Sequence, residues 1–418
     1  MLTVRVELQI TMKKTFPGTP KHSRKKQRTP ASAALGISGK DRHKKHVPKM
    51  LILGGYGRAG SLLAEYLLRE TPVELVIAGR DRTKAEQAAE RLRRMYPGRA
   101  VSGCAADARD ASSLRSAFAG AHMILVASTT TAEADTVARS ALECGADYLD
   151  IQYSRKKNDA LRALEGEILK ARRCFITEAG FHPGLPSVLV RYAALSLDQF
   201  DKARIASVVN MKARDPMPSS MVELVEGFQN YDARVFRQGR WQNDASSGAL
   251  GYRKIDFREP FGVRKCAPMM WEELRDLPEA IPSLKELGSY VAGFHPVIDS
   301  TVIPVVMTSL ALFKERAHAP MAKLLFWSLK MFPPKPVGTA LVLEAEGEVT
   351  GVPIALTLSV AHRDEYVLTV IPVVAAILQY LKGTVKKPGL WMLGHIVEPF
   401  SFVNDLGRMG LDLSLKLR

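Results

Sequence analysis

Apolar and polar positions in residues 50–177 follow a repeating strand–helix pattern. Short apolar runs predict buried strands, and each is followed by a segment with helical spacing of its apolar positions. The predicted strands are Met50–Leu53, Val73–Ala78, Ala100–Ala105, His122–Ala127, Asp147–Ile151 and Cys174–Thr177. The predicted helices are Ser61–Arg69, Thr83–Met95, Ser112–Phe118, Ala132–Cys144 and Asn158–Arg172. Strands that alternate with helices of this length form a parallel sheet covered on both faces, so an α/β fold with a doubly wound Rossmann domain is predicted.

The pattern changes after Gly184, where longer strands with hairpin breaks begin. Gln238-Gly239 and Thr350-Gly351 are the predicted turns of two hairpins. Hairpin strands are antiparallel, so a second α+β domain with a mixed, largely antiparallel sheet is predicted. The predicted organisation is a basic tail over 1–49, a dinucleotide-binding domain over 50–184, and a substrate and dimerisation domain over 185–364.

The net charge of +16 is concentrated at the amino terminus. Residues 1–49 carry +11 of it, which leaves the rest of the chain only mildly basic. Apart from Phe16, no aromatic residue is interleaved with the basic residues of the tail, so nucleic-acid binding is not predicted. It lacks hydrophobic periodicity and is expected to be disordered. Two interpretations of the tail are considered. It could be an import leader, or the start codon could have been assigned too early, with Met50 as the natural start. The second interpretation is favoured.

Cysteine and histidine spacing indicates neither a disulfide framework nor a metal site. The four cysteines are scattered, and the nine histidines show no HExxH or HxxxH spacing. A reducing compartment, the cytoplasm, is therefore expected, with organelle import through the tail as the alternative.

No apolar segment is long enough to predict a membrane span. The apolar run Tyr366–Leu381 is interrupted by Pro372 and Gln379 and is interpreted as a buried helix. Met321–Phe332, with Lys323 and Lys330, is interpreted as an amphipathic helix on the core rather than a membrane-surface helix.

A glycine-rich turn follows the first predicted strand and has the spacing GxGxxG. Its residues are Gly55, Tyr56, Gly57, Arg58, Ala59 and Gly60. The first glycine permits a tight turn, the second lets a pyrophosphate approach the backbone, and the third allows close helix–strand packing. Free N–H groups of the following helix would then face the phosphates. The strand before it and the five strands after it make a dinucleotide site the favoured interpretation.

A second interpretation of the same segment is a short-chain or epimerase-like reductase. Gly54, Gly57 and Gly60 also fit GxxGxxG, and Tyr153 and Lys157 form YxxxK, the catalytic pair of that group. However, Tyr153 comes too early in the chain for that fold. The pair is therefore interpreted as coincidental, with Lys157 at a solvated helix start.

The residues that follow the second strand favour NADP over NAD. The ribose-reading position falls at Gly79-Arg80-Asp81-Arg82, where an NAD enzyme would place an acid first. A guanidinium of Arg80 or Arg82 could pair with a 2′-phosphate, or both could only decorate the next helix. Asp81 is expected to cap that helix.

Two further loops are predicted to touch the cofactor. Asp107 and Ala108 follow the third strand, and the Asp107 carboxylate could accept from the adenine amino group or cap the following turn. Ser128, Thr129 and Thr130 follow the fourth strand. Their hydroxyls could contact the nicotinamide ribose or cap the helix that begins near Ala132.

The glycine-rich turn and the loops described above resemble those of the saccharopine dehydrogenase-like reductases, which include carboxynorspermidine and lysine 6-dehydrogenases. The resemblance extends to Asp147-Tyr148-Leu149-Asp150 and to the stretch from Ala179 to Pro186. The resemblance implies an NADP-dependent oxidoreductase and a homodimer formed through the second domain. It also implies that the C-terminal segment, 365–418, returns to the cofactor domain. The chain departs from the family after the fifth strand, where Gln152-Tyr153-Ser154 replaces a Thr-Gly-Glu element, so saccharopine itself is not assigned as substrate.

The hypothesis for the reaction is hydride transfer at the C–N centre of an imine or amine, with an amino-acid-like or polyamine-like small molecule as substrate. His182 and Asp150 are the candidates for proton transfer, because both follow strands at the edge where such a site opens. The alternatives are that His182 orders the Pro183-Gly184 turn and that Asp150 is a structural carboxylate. A non-catalytic NADP-binding sensor remains a further possibility.

Overall fold

The computed structural model describes residues 47–229, 231–243 and 251–417. One of its two sheets is a seven-stranded parallel sheet. Its strands are β1 (Lys49–Leu53), β2 (Glu74–Gly79), β3 (Val101–Ala105), β4 (Met123–Val126), β5 (Asp147–Asp150), β6 (Cys174–Thr177) and β15 (Gly389–Met392). Their order is β15-β6-β5-β4-β1-β2-β3, and every pairing is parallel. The predicted Rossmann sheet is therefore confirmed, whereas the predictions for residues 1–46 lie outside the described residues.

Helices cover both faces of this sheet and follow the predicted alternation. They are α1 (Arg58–Glu70), α2 (Arg82–Met95), α3 (Ala111–Phe118), α4 (Ala134–Glu143), α5 (Arg155–Ala163) and α6 (Glu165–Lys170). The next helix, α7 (Leu185–Ala194), packs on the second sheet. The single helix expected over Asn158–Arg172 is divided at Leu164 into α5 and α6. Two apolar clusters lie on opposite faces of the sheet, which is the arrangement expected of a doubly wound fold.

The second sheet is mixed and mostly antiparallel, as predicted. Its strands are β7 (Gln199–Asn210), β8 (Arg234–Arg237), β9 (Arg240–Asn243), β10 (Arg253–Asp256), β11 (Val263–Pro268), β12 (Glu286–Ala292), β13 (Gly338–Val349), β14 (Val352–His362) and β16 (Asp412–Leu417). Both predicted hairpins are present, as β8–β9 and β13–β14. The one parallel pairing in the path β10-β11-β12-β7-β13-β14-β16 joins β12 to β7.

The helices of the second half lie, along the chain, mostly between strands of this sheet. They are α8 (Ser220–Gln229), α9 (Leu277–Ala280), α10 (Ile303–Phe313), α11 (His318–Met331), α12 (Glu365–Leu381), α13 (Leu393–Ile396) and α14 (Pro399–Arg408). Helix α11 contains the predicted amphipathic segment. In the part of the chain that the structure describes, no helix has the length and apolar character needed to cross a bilayer.

Helix α12 lies between the two sheets and joins their cores. It packs against α1 of the Rossmann domain and against β13 and β14 of the second sheet, and its apolar residues share one buried cluster with residues of β1, β2 and β7. Strand β15 then pairs with β6 and adds the seventh strand of the Rossmann sheet. The end of α12 is held by Tyr380, whose hydroxyl donates to the buried carboxylate of Asp147, and Asp147 also accepts from the Cys174 amide at 2.9 Å.

Tyr380→Phe tests this anchor. The substitution leaves a buried carboxylate oxygen without its donor, so we expect a loss of about 1–3 kcal/mol in the free energy of unfolding, measured by urea denaturation. Tyr96→Phe is the matched control, because no described residue hydrogen-bonds to that hydroxyl, and it should change the free energy little. Equal effects of the two substitutions would contradict the assignment of Tyr380 as an anchor.

Candidate active site

The glycine turn between β1 and α1 is closed by backbone contacts that exclude side chains. The Gly54 amide donates to the carbonyl of Ala78 at 2.8 Å, and the Gly57 amide donates to the Gly54 carbonyl at 2.9 Å. A Cβ atom at Gly60 would lie 2.2 Å from the Gly54 oxygen, so only glycine fits there. Gly54, Gly57 and Gly60 are therefore held close to one another by backbone contacts.

Helix α1 begins at this turn with an open amino terminus. Gly57 is its N-cap residue and supplies no side-chain cap, so the first N–H groups of the helix are free to bind an anion. Arg58 lies in the first turn of α1. Its guanidinium pairs with Asp364 at 3.2 Å and stacks over the Tyr366 ring at 4.3 Å. The start of α12 is thus fastened beside the candidate phosphate site.

Tyr56 links the glycine turn to the tip of β2. Its hydroxyl accepts from the Asp81 amide at 3.2 Å, and its ring fills the space where a Cβ atom of Gly79 would lie. Asp81 caps α2 by accepting from the Lys84 amide at 3.1 Å, as predicted. Arg80 and Arg82 are exposed, and neither guanidinium has a hydrogen bond or ion pair within the described ranges. Two cations without a hydrogen-bonded or ion-paired partner in the described ranges therefore lie at the predicted ribose position.

Charged side chains within the loop after β3 stabilise that loop. Asp107 accepts from the backbone and guanidinium N–H groups of Arg109, which lower the Asp107 pKa to about 2, and Arg80 contributes to the same shift. Asp107 therefore caps its own turn, while Asp110 caps α3. Ala108 is buried beside it.

The hydroxyls after β4 face neighbouring loops rather than the next helix. Ser128 and Thr130 are hydrogen-bonded to each other at 3.0 Å, and Gln152 donates to the Ser128 carbonyl at 2.6 Å. Thr129 donates to Ser219 of the second domain at 3.0 Å. The N-cap of α4 is Glu133, so these three hydroxyl residues line the edge of the sheet and do not cap that helix.

Asp150 and Lys157 form an ion pair with no solvent exposure. Lys157 donates to Asp150 at 2.8 Å, to the Gln152 carbonyl at 2.8 Å and to Thr177 at 2.6 Å. The other oxygen of Asp150 accepts from Thr177 at 2.8 Å. The expectation that Lys157 lies at a solvated helix start is therefore wrong, because the apolar strand ends around it supply three buried acceptors.

This geometry gives no support to a Tyr153–Lys157 catalytic pair. The three donors of Lys157 are directed at Asp150, Gln152 and Thr177, and none is directed at Tyr153. Burial and nearby carboxylates raise the Tyr153 pKa to about 12. A phenol that must exchange a proton near neutral pH needs the opposite shift.

His182 is enclosed by aromatic rings at the loop after β6. Its imidazole stacks on Trp271 at 5.0 Å and lies 4.2 Å from the Phe181 ring. Burial lowers the His182 pKa to about 4, so the ring is neutral at physiological pH. Its Nε2 atom is out of contact with solvent and has no hydrogen-bond partner among the described residues.

Other enclosed polar atoms around Lys157 also lack partners in the described part of the chain. They are Gln152 Oε1, Asn158 Oδ1, Glu178 Oε2 and Glu223 Oε1. Asn158 and Glu178 are joined at 2.6 Å, and both Glu178 and Glu223 are within electrostatic reach of Lys157 and Asp150. The two amide oxygens are hydrogen-bond acceptors, and so are the two glutamate oxygens when the carboxyl groups are ionised. We name these four atoms and His182 Nε2 the acceptor cluster.

Two glutamates of the second domain were not predicted. Glu223 on α8 has its pKa raised to about 7 by burial and by Glu226. Glu273 accepts from the amides of Gly184 and Ser187 at the start of α7, at 2.7 and 3.1 Å, and burial raises its pKa to about 7. Neither lies in a recognisable motif, because each meets the Rossmann edge only through the tertiary fold. Among the described residues no group of three or more His, Cys, Asp or Glu side chains could hold a metal ion.

Comparisons with known proteins agree with this geometry. Residues 50–177 match the family model described as saccharopine dehydrogenase NADP binding domain. The fold resembles that of apo saccharopine dehydrogenase (L-Glu forming) from Saccharomyces cerevisiae, with a TM-score of 0.64 and 16% identity over 89% of this chain and 100% of that chain.

More distant structures add no argument. A dehydrogenase from Chromobacterium violaceum is 9% identical over 76% of this chain and 75% of that chain, with a TM-score of 0.38. No curated protein matches the sequence. The glycine turn, the parallel sheet and the matched family model together identify residues 50–177 as an NADP-binding domain of the saccharopine dehydrogenase type.

Proposed function

We propose that the protein transfers a hydride between NADP and the C–N centre of an amine-bearing small molecule of the amino-acid or polyamine type. The observation that carries this proposal is the acceptor cluster beside the ends of β5 and β6. Leaving a buried acceptor unpaired costs about 1–3 kcal/mol, so five such atoms together indicate that a ligand supplies the missing donors.

An amine is the ligand chemistry that fits these atoms best. An ammonium group offers three donors and no acceptor, whereas a carboxylate or carbonyl would bring further acceptors against the cluster. The carboxylates of Glu178 and Glu223 also favour a cation electrostatically. The paired Lys157 offers no free donor to an anionic group there.

The residues of the glycine turn fit a bound dinucleotide. The amino terminus of α1 would hold the diphosphate, and Gly55, Gly57 and Gly60 keep side chains out of its way. Arg80 and Arg82 would pair with the 2′-phosphate of NADP. When bound, the cofactor supplies the hydride chemistry.

The two proposed site residues after β5 and β6 have different roles. His182 is neutral, and its enclosed Nε2 atom is proposed to accept a hydrogen bond from the substrate amine. Asp150 has no exposed surface and already accepts several hydrogen bonds. We therefore propose Asp150 as a positioning residue, which holds Lys157 and the strand ends in place.

The setting of the reaction is also part of the proposal. The four free cysteines are consistent with a reducing compartment, for which we propose the cytoplasm. A homodimer formed through the second domain is proposed on the family resemblance.

Arg80→Ala tests the choice of NADP. Loss of a charge-assisted pair with the 2′-phosphate should weaken NADPH binding about tenfold or more and leave NADH binding unchanged, as measured by isothermal titration calorimetry. Arg94→Ala, an exposed arginine at the far end of α2, is the matched control. An equal loss for both nucleotides, or none for NADPH, would contradict a 2′-phosphate contact.

Glu223→Gln tests the amine site in an assay of NADPH oxidation with amino acids or polyamines paired with 2-oxo acids or semialdehydes. Because the Glu223 pKa is raised to about 7, the carboxyl is neutral below that pH and ionised above it. We expect the KM for the amine to fall about tenfold from pH 6 to pH 8, and this dependence to vanish in Glu223→Gln.

Controls separate this effect from general damage. Glu90→Gln, which replaces an exposed carboxyl on α2, should keep the wild-type pH dependence.

A raised carboxyl pKa means that the folded protein holds more protons than the unfolded chain between pH 4.5 and 7, so Glu223 makes stability fall as pH rises through that window. Glu223→Gln should flatten that slope. Cofactor binding without turnover of any amine pair would refute the proposed reaction and favour a cofactor-binding sensor.

A further inference from the structure

Exposed apolar side chains are concentrated in the helical segment between β12 and β13. Seven of the fifteen large hydrophobic residues that are exposed in the described part of the chain fall within residues 297–337. They are Val297, Val305, Leu312, Phe313, Trp327, Met331 and Val337. Single exposed apolar residues need no explanation, but a cluster of this kind marks an interaction surface.

Helices α10 and α11 carry five of these residues. Both helices rest on α8 through a shared buried cluster that includes Val306 and Leu310 of α10 and Leu325 and Leu329 of α11. Two neighbouring helices packed on the same support turn their opposite sides outward together.

The outward positions repeat along both helices. Val305 and Leu312 are seven residues apart on α10, and Trp327 and Met331 are four apart on α11, so each pair shares one helix face. Leu312, Phe313 and Trp327 are 69%, 62% and 56% exposed. We name Val305, Leu312, Phe313, Trp327 and Met331 the α10–α11 face.

Positive charge borders the α10–α11 face. Lys314, Arg316, Lys323 and Lys335 are exposed and have no hydrogen-bonded or ion-paired side chain within the described ranges. Glu315, the acidic residue between Lys314 and Arg316, forms a salt bridge with Lys156 at 3.0 Å. The border is therefore cationic without local compensation.

We propose that the α10–α11 face docks the protein on an anionic lipid bilayer, with Leu312, Phe313 and Trp327 inserted at the headgroup level and the four cations on the lipid phosphates. Apolar and aromatic side chains beside lysines and arginines are the arrangement that binds such surfaces. A second copy of the chain fits less well. A two-fold contact through this face would set the same cations against one another.

The test is cosedimentation of the full chain with vesicles of phosphatidylcholine and phosphatidylserine in equal parts. The triple variant Leu312→Ser, Phe313→Ser, Trp327→Ser keeps every cation, including those of the basic amino terminus. It should bind at least tenfold more weakly than the wild type. The control variant Leu195→Ser, Val263→Ser removes two exposed apolar side chains elsewhere and should bind as the wild type does.

A second measurement does not depend on the folding of the triple variant. Brominated phosphatidylcholine mixed with phosphatidylserine should quench part of the tryptophan fluorescence of the wild type, and Trp327→Phe should remove that part while still binding. Unchanged binding of a folded triple variant, or equal quenching of Trp327→Phe, would overturn the proposal. So would a concentration-dependent dimer in sedimentation velocity that the triple variant abolishes, since the face would then belong to a second copy.

Discussion

Burial of α12 between the two sheets is the interaction on which the other features depend. The helix is apolar on nearly every side, so its burial requires both the Rossmann sheet and the second sheet to be in place. At its start, Asp364 caps the helix and pairs with Arg58 beside the glycine turn. At its end, Tyr380 donates to Asp147 under β5. One element thus fixes the second domain relative to the phosphate-binding turn and to the strand ends that form the candidate site.

The buried Lys157–Asp150 pair imposes the second constraint, this time on chemistry. Two charges without solvent are tolerated only because every donor of Lys157 has a partner, and removing one member of such a pair typically costs about 3–5 kcal/mol. Lys157 is thereby saturated, while Gln152, Asn158 and Glu178 around it keep unpaired acceptors. The positive charge of Lys157 is already paired within the protein, whereas nearby carboxyl groups and unpaired acceptors can still bind a ligand. That asymmetry is the basis on which a cationic substrate is proposed.

Local sequence patterns were sufficient for the first domain but not for the contacts between its loops and the second domain. The strands, the glycine turn and the Asp81 cap each depend on residues within a few positions of one another, and all are present in the structure. Strand β15 was not predicted, because four residues near Gly389 become a strand only through pairing with β6. Lys157 was placed in solvent for the same reason: its acceptors come from β5, β6 and the loop after β5. Glu223 and Glu273 reach the Rossmann edge from α8 and the loop before α9, and no periodicity encodes such an approach.

Helix α8 connects the candidate site to the α10–α11 face. One side of α8 carries Glu223 toward Lys157 and Asp150, and the other packs Met221 and Val225 beneath α10 and α11. Substituting the buried residues beneath the α10–α11 face would therefore also shift Glu223. A loss of lipid binding in such a variant could not be separated from a change in the candidate active site. Substitutions at Leu312, Phe313 and Trp327 avoid this coupling, because these side chains are mostly exposed and support nothing beneath them. Their effects on lipid binding and on amine turnover should accordingly be independent, since residues without shared partners contribute additively.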